Sequence, residues 1–92
     1  MKTIKFDVQE HLKTKKARTA YLKAVLEDGD PDLLAAALGD IARSIGTTRF
    51  AHDTGLSRET IYKSLRQGGN PTLDTLAKSV KALGLRLSLT TA

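Results

Sequence analysis

The sequence predicts an all-α domain, and three observations carry that prediction. Apolar residues recur at helical spacing in the middle and near the end of the chain, as at Leu34, Leu38, Ile41 and Ile45. Capping residues and glycines bracket those runs, with Asp30–Pro31 and Thr72 before them and Gly46 and Gly84 after them. Between them residues 47–66, TTRFAHDTGLSRETIYKSLR, read as two short helices joined by a tight turn.

Taken in order, Ile4 and Phe6 alternate with polar residues, so residues 3–6 are expected to be extended. Asp7 with Glu10 forms a capping box opening a short helix to about Leu12. Residues 13–16 are polar and suit a joint. A helix over 17–28 follows, with Ala17, Ala20, Tyr21, Ala24 and Val25 on one stripe and Gly29 as its stop. Asp30 is a good N-cap and Pro31 a favoured first helical residue. The helix they open is widened by Leu33, Ala37 and Ala42. Thr47 or Thr48 caps the next helix, in which Ala51 is small enough for a second helix to cross close by. Gly55 then supplies the left-handed residue where the chain leaves that helix. Leu56 plugs the corner, Ser57 caps the second helix, and Ile61 and Leu65 turn into the core.

A turn cluster at Gly68, Gly69, Asn70 and Pro71 leads to a last helix capped by Thr72. Its expected buried face is Leu73, Leu76, Ala77, Val80 and Leu83. Past Gly84 the period changes: Leu85, Leu87 and Leu89 alternate with Arg86, Ser88 and Thr90, the pattern of a short C-terminal strand. A lone strand needs a partner, either residues 3–6 or its twin across a dimer axis. Leu85, Leu87 and Leu89 are therefore the candidate dimer contacts of a homodimer. The expected division is a helical N-terminal extension over 1–29 and a helix-turn-helix domain over 30–92.

Composition narrows the function. The chain has 92 residues and a net charge of +5. Residues 1–23 hold seven bases against two acids, residues 27–40 hold only acids, and residues 41–66 are basic again. A basic face on a small domain favours a polyanion partner, although a solvated surface has the same composition. The absence of cysteine excludes disulfides and thiolate metal sites and fits a cytoplasmic protein. No apolar run approaches a membrane span, and the first residues lack the apolar core of a secretory signal, so no membrane is expected.

Enzyme chemistry finds no foothold. Asp28, Asp30 and Asp32 mimic the start of a calcium loop, but Leu33 and Gly39 stand where Gly and Glu are needed. His11 and His52 have no ligand set, and Gly68–Gly69 precede no Lys-Ser or Lys-Thr pair. The expectation is a binding protein, not an enzyme, with no cofactor and no metal.

The second helix of the pair is the candidate reader of double-stranded DNA. With Ile61 and Leu65 inward, Glu59, Lys63 and Arg66 point outward, with Thr60 and Tyr62 flanking and Arg58 at the first turn. Arg58 and Lys63 can donate to guanine, and Glu59 can accept from cytosine. Ser57 and the free amides of the helix start suit a phosphate. The candidate DNA-binding set is Thr47, Thr48, Ser57, Arg58, Glu59, Thr60, Tyr62, Lys63 and Arg66.

Ala51, Gly55 and Ile61 match the Cro/lambda-repressor-like, Xre-type helix-turn-helix, so the turn resembles that superfamily. Ser64 departs from it where a larger apolar residue is common, and Thr47 replaces a common glutamine. A narrower resemblance spans nearly the whole chain. AYLKAVLEDGDPDLLAAALGDIARSIG, DTGLSRETIYKSL and GNPTLDTLAKSVKALGLRL resemble the addiction-module antidote family, HigA-like antitoxins of type II toxin–antitoxin operons. The resemblance implies a cognate RelE/ParE-like toxin as partner and autorepression of the operon through operator DNA. The runner-up is a stand-alone Xre-type regulator. The candidate toxin contacts are Ile4, Phe6, Tyr21, Leu22 and Val25, in a segment that can equally pack on the core or make the dimer. The acidic surface over 27–40 competes with them.

Overall fold

The computed structural model describes residues 12–88, 90 and 91, and these form five helices and no strand. They are α1 (Lys15–Asp28), α2 (Pro31–Ile45), α3 (Thr47–Thr54), α4 (Arg58–Ser64) and α5 (Leu73–Ala82). The all-α expectation therefore holds over the described residues. The capping box at Asp7 and Glu10, the residues 3–6, and Leu89 lie outside them.

Helix α2 is the centre of the domain. It starts as expected, with Pro31 in its first turn and the Asp30 carboxylate accepting from the Asp32 N–H at 2.9 Å. Ala35, Ala37, Leu38, Gly39, Ile41 and Ala42 are all buried, so the helix is covered on most of its circumference. Helix α1 packs on α2, α2 on α3 and α4, and α3 on α4 and α5. The core is one cluster in which Leu12 and Leu22 join Leu38, Phe50, Ile61 and Leu65, so it runs across residues 29–30.

Three elements differ from expectation. Helix α1 begins at Lys15 instead of residue 17, because Thr14 accepts the Ala17 N–H at 3.1 Å and caps it. Its inward side centres on buried Leu22, flanked by half-buried Tyr21 and Val25, whereas Ala20 and Ala24 are exposed. Burying a leucine removes more apolar area from water than burying alanines, and that decides the rotation. The Tyr21 hydroxyl donates to Asp40 at 3.0 Å, and Arg43 donates to the other carboxylate oxygen at 2.7 Å, tying α1 to α2. Burial, and then the Asp40 hydrogen bond and charge, push the Tyr21 phenol above its usual range.

Helix α5 differs in part. Leu83 is buried and Leu76 packs against the core as expected, but Thr75 and Ser79 are buried too, while Leu73 is 75% exposed and Ala77 is exposed. Small side chains let α5 approach α3 closely. Their hydroxyls cost little to bury because they are satisfied nearby: Ser79 donates to the Thr75 carbonyl at 2.8 Å, and Thr72 donates to the Thr75 hydroxyl at 3.1 Å.

No strand forms at residues 85–88. Gly84, in the left-handed conformation, donates to the Lys81 carbonyl at 3.0 Å, and Leu85 donates to the Val80 carbonyl at 3.1 Å. That pair of bonds is a Schellman ending, and it turns Leu85 back onto the core. A strand without a neighbour has nothing to satisfy its edge groups, so the helix ending prevails.

Candidate nucleic-acid interface

The site is built around the turn between α3 and α4. Gly55 has φ +77°, and its N–H bonds to the Ala51 carbonyl at 2.9 Å. Thr54, which sequence reasoning passed over, locks the corner. Its buried hydroxyl donates to the Phe50 carbonyl at 2.7 Å and accepts the Leu56 N–H at 3.1 Å. A threonine directly before the turn glycine was the available signal. Ser57 then caps α4, accepting from the Thr60 N–H at 3.0 Å and donating to the Thr60 hydroxyl at 2.8 Å. Helix α3 lacks the expected cap. Gly46 occupies the N-cap position with no side-chain bond, and Thr47 is already helical. Its preceding helix ends at that same glycine, leaving no residue between them to supply a hydroxyl.

Ile61 and Leu65 are buried, as the spacing predicts. Leu65 stands just past the end of α4 yet is 1% exposed, and its N–H bonds to the Ile61 carbonyl at 3.0 Å. It fills the place that Ser64 leaves, while the Ser64 hydroxyl bonds back to the Thr60 carbonyl. Gly39 makes this packing possible. A Cβ at Gly39 would stand 1.9 Å from the Leu65 carbonyl oxygen. Thus α2 passes against the end of α4 at a distance only glycine allows. A glycine inside an otherwise strong helix was the only hint of it.

The outer face of α4 carries Arg58, Glu59, Tyr62 and Lys63, all exposed. Lys63 and Glu59 pair at 2.8 Å, both largely in solvent. Arg58 donates to the Tyr62 hydroxyl at 3.3 Å, with its guanidinium carbon 6.0 Å from the ring centroid. That hydrogen bond first, and the Arg58 charge second, pull the Tyr62 phenol below its usual range, with a smaller contribution from Thr47. Arg66 is exposed just beyond the helix, its Nε donating to the Lys63 carbonyl at 3.2 Å. Thr48 is exposed, whereas Thr47 and Thr60 are half-buried. Thr60 and Ser57 already spend their hydroxyls on the cap. The structure thus gathers Thr47, Arg58, Tyr62, Glu59 and Lys63 on one side and places Arg66 at its far end.

The other candidates are placed differently. Tyr21 and Val25 are half-buried and Leu22 is 5% exposed, while Ile4 and Phe6 lie outside the described residues. Leu85 is half-buried and Leu87 is 53% exposed. Among the described residues no three His, Asp or Glu side chains gather to hold a metal ion, and no helix is long and apolar enough to cross a membrane.

The chain is 43% identical over 84 residues to a protein of Haemophilus influenzae described as an uncharacterized protein, covering 91% of this chain and 87% of that one. No solved structure matches it. A family model described as probable addiction module antidote protein matches residues 2–91. With almost its whole length accounted for, the chain belongs to the probable addiction module antidote protein family.

Proposed function

We propose that this antidote protein is the antitoxin of a type II toxin–antitoxin system, HigA-like, with an Xre-type, lambda-repressor-like helix-turn-helix that binds operator DNA. It acts by binding alone, without catalysis. DNA-bound pairs of the chain occlude the promoter of the operon, and a separate protein contact occludes a RelE/ParE-like toxin. The antidote family supports the toxin partner. The observation that carries the DNA reading is the locked corner, Thr54–Gly55–Leu56–Ser57, which presents Arg58, Tyr62 and Lys63 outward from a buried Ile61. Such a helix fits the major groove, and cationic and aromatic side chains on it suit phosphates and base edges.

The test has two arms. Mobility shift of the operon's upstream region should reveal a pseudo-palindrome with half-sites about 34 Å apart. Affinity should fall steeply as salt rises, because each phosphate contact releases counterions. Salt-insensitive binding, or none, would remove the operator reading. Co-expression with the neighbouring reading frame should yield a co-purified complex and rescue growth. Operator binding without either outcome would favour the stand-alone regulator.

A further inference from the structure

A cleft of about 320 Å³ opens beside α3, between the start of α1 and the ends of α2 and α5. Lys13, Lys15, Arg18 and Arg49 line it, and among the described residues Asp53 is the one acid in its walls. Arg18 donates to the Leu12 carbonyl at 2.7 Å and to the Lys13 carbonyl at 3.2 Å, which fixes the segment entering α1 against the cleft. Arg49 stands 3.6 Å from Asp53, a loose pair, with its side chain 77% exposed. Lys15 is exposed and makes no ion pair among the described residues.

Folding does not account for these cations. Helices α2, α4 and α5 each carry an acid in the first turn, Asp32, Glu59 and Asp74, where the positive end of the helix dipole favours it. Helix α1 carries none there and opens instead on Lys15 and Lys16, both exposed. The C-terminal end of α5 offsets part of this for Lys15, whose Nζ lies 2.9 Å from where a Cβ at Gly84 would stand. Cations placed against local preference and left open to solvent point to an anion outside the chain.

We propose that this cleft holds the phosphate backbone of DNA beside the bases that α4 addresses, so that α1, outside the helix-turn-helix, is part of the DNA interface. The proposal rests on the operator reading and adds Lys15 and Arg49 to it. Thr47 meets Tyr62 of α4 on one flank of α3. Arg49, two residues on, points about 200° round the helix, to the other flank. A recognition helix in the major groove leaves the helix before it crossing the backbone. A helix with its side chains is about 10–12 Å across, and the major groove is about 12 Å wide. With α4 in the groove, α3 lies over the row of phosphates, and a lysine or arginine on its far flank can reach them. Such contacts fix position and carry no base preference.

The experiment is a mobility shift across a range of salt, on the operon's upstream region and on an unrelated duplex of equal length. The full chain is compared with Lys15→Gln, Arg49→Gln, Lys15→Arg and Asp53→Asn, all at exposed positions, and circular dichroism checks that the helices persist. Lys15→Gln and Arg49→Gln should each weaken binding to both duplexes alike, roughly tenfold at about 0.1 M salt. Each should also flatten the slope of log affinity against log salt by about 0.9. Binding-site selection should return an unaltered motif for both. Lys15→Arg should keep the affinity of the unaltered chain. Asp53→Asn removes the acid from the cleft and should tighten binding to both duplexes, which a folding defect does not do. A Lys15 that serves only the end of α5 would lower the melting temperature of Lys15→Gln and leave the salt slope intact, which overturns the proposal. If the unaltered chain binds the operator and the slopes of both glutamine variants match its own, the cleft is no DNA contact, while the operator reading stands. An unaltered chain that binds neither duplex removes both. A cleft that takes inorganic phosphate in a chemical-shift titration, with DNA affinity indifferent to Lys15 and Arg49, is a free-anion site, and that too overturns the proposal.

Discussion

Helices α4 and α5 are written in the same local grammar and face different worlds. Each is opened by a hydroxyl that accepts an N–H three residues on and donates to that residue's own hydroxyl: Ser57 with Thr60, and Thr72 with Thr75. An acid–base pair one turn apart lies on both, Glu59–Lys63 at 2.8 Å and Asp74–Lys78 at 3.0 Å. Their outer faces diverge. On α4 it is Arg58, Glu59, Tyr62 and Lys63; on α5 exposed Leu73, with half-buried Leu76 and Val80 beside it, adjoins exposed Asp74, Lys78 and Lys81. Caps and charge pairs make a helix but do not say what it addresses. The composition of the face left over after packing differs between the two helices, and under the proposed function the face of α4 addresses a polyanion.

The largest effect that tests this contrast is on stability. Phe50 is 1% exposed beneath the turn, so Phe50→Ala should cost about 3–5 kcal/mol in urea denaturation. Leu73→Ala, at a site 75% exposed, should stay within about 0.5 kcal/mol. A large loss at Leu73 would mean that the outer face of α5 is packed within the chain, and the contrast would collapse.

Next comes the contact that holds α4 in place. Gly39→Ala puts a methyl into the Leu65 carbonyl and should destabilise by about 1–3 kcal/mol through overpacking. Chemical shifts should move along α4 more than along α5. Equal shifts in both helices would show that α4 is not positioned by α2.

On the DNA side, Lys63→Ala should cost about 1–3 kcal/mol at the preferred site and relax its sequence preference. Glu59→Ala frees Lys63 from its 2.8 Å partner and should raise affinity for all sequences while blurring the preference. Binding-site selection distinguishes the two, and an unchanged motif for both variants would strip this pair of a reading role. Arg66→Ala should weaken all sequences alike and flatten the salt dependence.

The smallest effect is a pH dependence at the α1–α2 contact. The folded state raises the Tyr21 phenol above its ordinary value of about 10, so folding favours its neutral form. The stability gained is fully present below that ordinary value and is lost as pH rises through the raised one. Tyr21→Phe should therefore flatten the alkaline slope of thermal unfolding. An unaltered slope would place alkaline sensitivity elsewhere.

Much of the fold was legible because it rests on short-range bonds. Asp30–Pro31, Ser57, Thr72 and Gly55 act on groups within four residues of themselves, and each stands where the spacing put it. The inward turn of Ile61 and Leu65 follows from helix period alone. The exposed side of α4 was readable for the same reason. The pairings on that side were less so, since Arg58 with Tyr62 and Glu59 with Lys63 are only two of several rotamer choices one turn apart.

Other features were settled only when helices met. Along α5 the apolar stripe is Leu73, Leu76, Ala77, Val80 and Leu83, yet Leu73 and Ala77 are exposed while Thr75 and Ser79 join Leu83 in facing the core. Periodicity finds an apolar stripe but cannot say which side another helix will reach. Hydroxyls that bond to their own helix are cheap to bury, and small side chains permit the closer approach. Gly39 and Thr54 belong with these cases. Their importance lies in the Leu65 carbonyl and the Leu56 N–H, groups that become neighbours only once α2, α3 and α4 are packed. Local chemistry thus decided where each helix begins and ends over most of the chain. Tertiary contact decided which face of each is hidden, because burial is a property of a pair of surfaces and not of either sequence alone.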